Sequence, residues 1–66
     1  MNQLGKRIQT IRRELKLTQA QLAKKAGVTA SCIGKIENGD RRPRPLTLYC
    51  ICRALGITMT HALVGE

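Results

Sequence analysis

Phenylalanine and tryptophan are absent, and Tyr49 is the one aromatic residue among 66. Without large rings, the core has to be assembled from Leu, Ile, Val, Ala, Met and Cys. Acidic residues number four against twelve Lys and Arg, and there is a single histidine, His61. That scarcity removes most of the usual material for general acid–base chemistry. A chain this short also buries only a modest core, about 60% of its unfolded surface, and leaves no room for a substrate cleft between two lobes. An enzyme is therefore not expected, nor is a small-molecule substrate. No apolar run approaches the ~20 residues that span a bilayer, and no secretory leader stands at the start. No membrane role follows, and the expected setting is the cytoplasm. Runs of β-branched residues at period two are missing as well, which argues against strands.

Cysteine is sparse and odd in number: Cys32, Cys50 and Cys52. None of the spacings fits a zinc site. Residues 50 and 52 on one helix would point about 160° apart, so a Cys50/Cys52/His61 metal site is not expected, and neither is any cofactor. The cysteines read as small apolar fillers in a reducing compartment. A redox role for Cys32 is the alternative. His61 reads as an exposed or half-buried helical residue.

What the chain does have is helical periodicity. Leu4, Ile8, Ile11 and Leu15 recur at steps of four, three and four. This spacing predicts an amphipathic helix over about residues 2–15, with Lys16 and Leu17 as its exit. Thr18-Gln19-Ala20-Gln21 fits a capping box. A second helix follows, with Leu22, Ala23 and Ala26 inward, and Gly27 ends it. Val28 belongs to the turn, and Thr29 caps a third helix that runs to about Asn38, with Gly39 as its stop. Two short helices joined by a glycine-containing turn define a helix-turn-helix, here about residues 18–38. Pro45 suits the first turn of a fourth helix, whose inward face is Leu48, Ile51, Cys52 and Leu55. Gly56 ends it, Ile57 is a buried link, and Thr58 caps a fifth helix from Met59 to about Val64. The prediction is one all-α domain over residues 1–66, with five helices packed compactly around one aliphatic core.

The net charge of +8 favours a polyanionic partner, although a merely soluble basic surface would carry the same sign. The distribution says more. Residues 1–25 hold Lys6, Arg7, Arg12, Arg13, Lys16, Lys24 and Lys25 against Glu14. Residues 26–40 hold Lys35 against Glu37 and Asp40. Residues 41–66 hold Arg41, Arg42, Arg44 and Arg53 against Glu66. Two basic blocks flank a nearly neutral middle, which suits flanks that grip phosphates around a middle that reads bases.

At about 100° per residue, centring the third helix on Ile33 brings Ile36, Thr29, Glu37 and Ala30 inward. Ser31, Lys35 and Asn38 then face outward, with Cys32 and Gly34 at the edges. A helix in the major groove needs small residues at closest approach and long donors toward base edges. Lys35 can donate to guanine O6 and N7, Ser31 can donate or accept, and Ala30, at the helix start, can touch a thymine methyl. Gly34 allows close approach to DNA or is incidental, and taken alone the face could equally be an ordinary solvated one.

The segments Leu17-Thr18-Gln19-Ala20-Gln21-Leu22-Ala23, Gly27-Val28-Thr29, Ile33 and Ile36-Glu37-Asn38-Gly39 resemble the Cro/C1-type (XRE-like) helix-turn-helix repressors of phages and bacteria. Pro45, Leu48, Ile51 and Ala54-Leu55-Gly56-Ile57 agree, so the resemblance covers roughly residues 4–64. It implies a lambda-repressor-like DNA-binding domain acting as a transcriptional regulator, a repressor, on a double-stranded operator. It implies phosphate contacts from Gln19, which could also brace the third helix, and from Asn38 and the basic loop of Arg41, Arg42 and Arg44. Arg12 and Glu37 match a pair that ties the first helix to the end of the third, and Arg12 is also expected at phosphate. Where many relatives carry a glutamine to read adenine, this chain has Ala30 and Ser31, so direct readout is expected to be lean. The resemblance further implies a homodimer, formed chiefly on DNA. Leu46, Tyr49 and Cys50, with Ile57 and Met59 of the corner that follows and the fifth helix, are the expected interface, unless they are scattered surface apolar residues. An antitoxin-type module of the same fold, neutralising a toxin and regulating its own operon, is the competing reading.

Overall fold

A computed structural model describes residues 3–65. Five helices follow one another: α1 (Gln3–Glu14), α2 (Gln19–Ala26), α3 (Ala30–Asn38), α4 (Pro45–Leu55) and α5 (Met59–Val64), with no strand among the described residues. Residue 2, where the first helix was expected to begin, lies outside the described residues.

The helix boundaries come from local chemistry. Thr18 Oγ1 accepts from the Gln21 amide at 3.0 Å while Gln21 Oε1 accepts from the Thr18 amide at 2.8 Å. Two amides outside the helical ladder are thereby satisfied. Thr29 and Thr58 accept from the amides of Cys32 and His61 in the same manner. Gly27, at φ 75°, and Gly39, at φ 86°, end α2 and α3 in the left-handed region, where a Cβ would be penalised. Pro45 is the first residue of α4, where its missing amide hydrogen costs nothing.

The α1 terminus departs from this pattern. Lys16 takes φ 59°, the one non-glycine with positive φ among the described residues. The Leu17 amide donates to Arg12 O and the Lys16 amide to Arg13 O, the hydrogen-bond pattern of a Schellman cap with lysine in the glycine position. A left-handed lysine costs roughly 1–2 kcal/mol. Lys16→Gly is therefore expected to raise stability by about 1 kcal/mol, read as a higher urea midpoint at unchanged slope. The same turn corrects the apolar stripe. Leu15 lies just past the last helical residue and is 49% exposed. Gly5 and Arg12 instead join Ile8 on the buried face of α1.

The core is aliphatic: Ile8, Leu22, Ala23, Ala26, Ile33, Ile36, Leu48, Ile51, Cys52, Leu55 and Ala62. Burial pushes the Cys52 thiol above its ordinary pKa, so it remains protonated and packs as an apolar side chain. Cys50 is half-buried. α3 lies between α1 and α2, α4 packs on α2, and α5 closes the bundle against α1 and α4. Arg7 Nη1 donates to Leu63 O at 2.8 Å and to Ala62 O at 3.4 Å. That guanidinium secures the C-terminal end of α5, where free carbonyls and the helix dipole favour a cation.

Candidate nucleic-acid interface

α3 divides cleanly into two faces. Ile33, Ile36 and Glu37 are buried, whereas Ser31, Lys35 and Asn38 are exposed and Cys32 and Gly34 are half-buried at the edges. Ala30 departs from the wheel: it was placed inward and is exposed. It opens the helix, and Thr29 before it, also expected inward, is exposed as well. The outward surface of α3 therefore carries Ala30, Ser31, Lys35 and Asn38, three short side chains and one long cation.

Glu37 organises the inner side. Its side chain is fully buried. Arg12 Nε donates to Oε2 at 2.6 Å and Arg12 Nη2 to Oε1 at 3.1 Å, a bidentate pair. Arg12 Nη1 donates to Leu17 O at 2.7 Å. Gln19 Nε2 reaches Oε1 from α2 at 3.1 Å, and Gln9 Nε2 does so from α1 at 3.5 Å. One carboxylate thus joins three helices and fixes how α3 sits on them. No buried side-chain nitrogen or oxygen among the described residues lacks a partner. The expected tie between Arg12 and Glu37 is present. Arg12, also expected at phosphate, is only 7% exposed, and three of its five N–H donors serve Glu37 and Leu17 O. Gln9 was not singled out from sequence. It lies 28 positions from Glu37, and nothing in the local pattern marks the contact.

The arginine loop is anchored to α3 through the backbone. Lys35 O accepts from the amides of Asp40 at 2.9 Å and Arg41 at 3.2 Å. Arg41, Arg42 and Arg44 are all exposed. With Pro43, Thr47 and Cys32 they line an open cleft of about 390 Å³ beside α3. Arg41 and Arg42 also border a second hollow with Asn38 and with Gln3 and Leu4 at the start of α1. Long, unencumbered guanidinium groups on a tethered loop suit phosphate oxygens.

Of the residues expected to pair two copies, Leu46 is 73% exposed and Tyr49 is exposed, with the Arg53 guanidinium 5.9 Å from its ring centre. Ile57 and Met59 are half-buried and pack against the core, so they offer less surface than expected. On α5, Leu63 and Val64 are also exposed.

A polar helix face, a preceding helix whose first side chain reaches across to it, and a basic loop tethered to its end together define a helix-turn-helix domain. The sequence matches the helix-turn-helix family over residues 8–61, and the chain belongs to this family, in its Cro/C1-type branch. It is 46% identical over 63 residues to the immunity repressor protein of Bacillus phage phi105, a match covering 96% of this chain and 43% of that protein. It is 43% identical over 58 residues to the HTH-type transcriptional repressor RghR of Bacillus subtilis, covering 86% of this chain and 43% of that one. The chain thus spans less than half the length of these curated relatives. The P22 c2 repressor in complex with a synthetic operator superposes over the full length of both chains at 30% identity and a TM-score of 0.92. SinR in complex with DNA superposes over 91% of this chain and 97% of that one, at 30% identity and a TM-score of 0.86. The fold is that of these repressor DNA-binding domains. The family and these neighbours are DNA-binding regulators rather than enzymes. Among the described residues no helix is long and apolar enough to cross a membrane, and no three potential metal ligands gather.

Proposed function

We propose that this chain is a sequence-specific, double-stranded DNA-binding transcriptional repressor that acts in the cytoplasm as a dimer on a pseudo-palindromic operator. The observation that carries the reading is the outward face of α3, small and polar apart from Lys35 and bordered by a tethered arginine loop. The operator-bound P22 c2 and DNA-bound SinR neighbours support it. α3 lies in the major groove. Ala30 and Ser31 allow close approach, and Lys35 reaches guanine O6 and N7. Arg41, Arg42, Arg44, Asn38 and Gln19 hold phosphates. Arg12 is left out of the phosphate set, since it is nearly buried and spends three of its five N–H donors on Glu37 and Leu17 O. Two copies meet through Leu46 and Tyr49 with support from Ile57 and Met59, placing the two α3 helices about one turn of DNA apart.

Selection of duplexes from a random pool tests this. A symmetric motif with two half-sites 10–10.5 base pairs apart (about one turn,) is expected, with a steep fall in affinity as salt rises. Lys35→Ala should reduce the ratio of preferred to random affinity by about 1–3 kcal/mol. An unchanged ratio would remove Lys35 as the base reader. Failure to enrich any duplex would remove the DNA-binding reading altogether.

A further inference from the structure

The side chain of Gln19 is held more firmly than its half-exposed position requires. It belongs to the first residue of α2, yet its amide lies against α3. Both oxygens of Glu37 already accept from Arg12, and an ionised carboxylate only accepts. The Gln19 amide must therefore turn Nε2, not Oε1, toward Glu37, as it does at 3.1 Å. One Nε2 hydrogen is used in this way and a second is left over.

The amide rests over Gly34. A Cβ built on Gly34 would stand 3.5 Å from Gln19 Oε1, 3.7 Å from Nε2 and 3.9 Å from Cδ, all ordinary contacts. Alanine would fit, whereas a longer side chain would occupy the place of the amide. Position 34 therefore needs smallness rather than glycine as such. Gly34 and Glu37 are three residues apart, so they are neighbours on one side of α3. Gly34 also borders Ser31, Lys35 and Asn38, all exposed. The amide consequently sits at the rim of the outward face, next to the first turn of α2, whose backbone amides point out of the helix and favour an anion.

We propose that Gly34 and Glu37 are positioning residues for DNA, seating the Gln19 amide so that its second Nε2 hydrogen meets a backbone phosphate beside the start of α2. The proposal rests on the DNA-binding reading above and adds the route by which two residues control the grip without touching a phosphate. The amide is oriented before DNA arrives. Removing the seat lets it rotate and present Oε1, an acceptor, to the phosphate.

The test uses wild type, Gln19→Ala, Gly34→Ala, Gly34→Leu and the Gln19→Ala/Gly34→Leu double variant, each checked for folding by thermal melting. Affinity for the selected duplex is measured across a range of salt. Gln19→Ala should weaken binding about tenfold at an unchanged salt slope, because a neutral amide displaces no counterion. Gly34→Leu should show the same loss, the double variant no more than either single one, and Gly34→Ala none. In the free wild-type protein the side-chain NH₂ resonances of Gln19 should lie away from those of unstructured glutamine, and Gly34→Leu should return them there. A further loss from Gly34→Leu in the Gln19→Ala background would mean that the new leucine strikes DNA directly, and would overturn the proposal. Wild-type Gln19 resonances at the unstructured position would do the same. If wild type selects no duplex, the DNA-binding reading falls and this proposal with it. If it selects one but the losses add, the proposal alone falls.

Discussion

Glu37→Ala is expected to remove about 3–5 kcal/mol of stability, because it leaves the Arg12 guanidinium buried without its counter-charge. The expectation follows from geometry: the Glu37 side chain is fully buried, that of Arg12 is 8% exposed, and the contact is bidentate. A domain of this size has only about 3–10 kcal/mol in total, so the variant should be largely unfolded near room temperature. Arg12→Ala should be nearly as damaging, since it strands a carboxylate instead of a cation. The informative partner is the double variant Arg12→Met/Glu37→Leu. With both charges gone and the volume filled, most of the loss should be recovered, because a buried ion pair is often no more stable than well-packed apolar residues. Urea denaturation followed by circular dichroism reads all of these. If Glu37→Ala shifts the midpoint by less than the equivalent of about 1 kcal/mol, a level typical of exposed pairs, the pair is not the junction described above. If the double variant is as unstable as the single ones, the loss lies in packing and not in charge.

The second large effect concerns binding. Arg41→Ala, Arg42→Ala and Arg44→Ala combined should leave the fold intact, since all three side chains are exposed and the hydrogen bonds that Arg41 and Arg44 make to the helices run through their backbone, which alanine keeps. Each guanidinium that neutralises a phosphate contributes about 0.9 to the slope of log affinity against log salt. The triple variant should therefore lose about 2.7 from that slope, and roughly two to three orders of magnitude in affinity near 0.1 M salt. The loss should be nearly the same on preferred and random duplexes, in contrast to Lys35→Ala, which should act on the preferred sequence alone. A salt slope that stayed within about 0.5 of wild type would show that the loop does not grip phosphate.

Most of the fold could be read from the sequence because its instructions are short-range. Thr18 with Gln21, Gly27, Thr29, Gly39, Pro45 and Thr58 each act within about four positions, and each sits where the structure starts or stops a helix. What was hidden depended on distance along the chain. Arg12 and Glu37 are 25 positions apart, and periodicity alone treats an arginine on α1 as solvent-facing. The resemblance supplied the pairing, while its extent, with Glu37 fully buried and Arg12 nearly so, needed the structure. Ala30 and Leu15 were misplaced for a related reason. A helical wheel assumes that neighbours cover the helix along its whole length, and both residues lie at ends where the cover stops. The outward set of Ser31, Lys35 and Asn38 was legible because Ile33 and Ile36 leave little choice of inward direction. The anchoring of the arginine loop to Lys35 O was not, since backbone acceptors carry no sequence signature.

The division of α3 into a buried side and a bare side has an evolutionary and practical corollary. The side chains that seat the helix in the domain are chiefly Ile33, Ile36 and Glu37, while among the described residues Ala30, Ser31, Lys35 and Asn38 contribute no side-chain hydrogen bond. On the DNA-binding reading proposed above, Ala30, Ser31 and Lys35 form an interchangeable reading head, with Asn38 beside them at phosphate. Drift or design can rewrite them in combination and redirect the domain to new operators, with the scaffold indifferent to the choice.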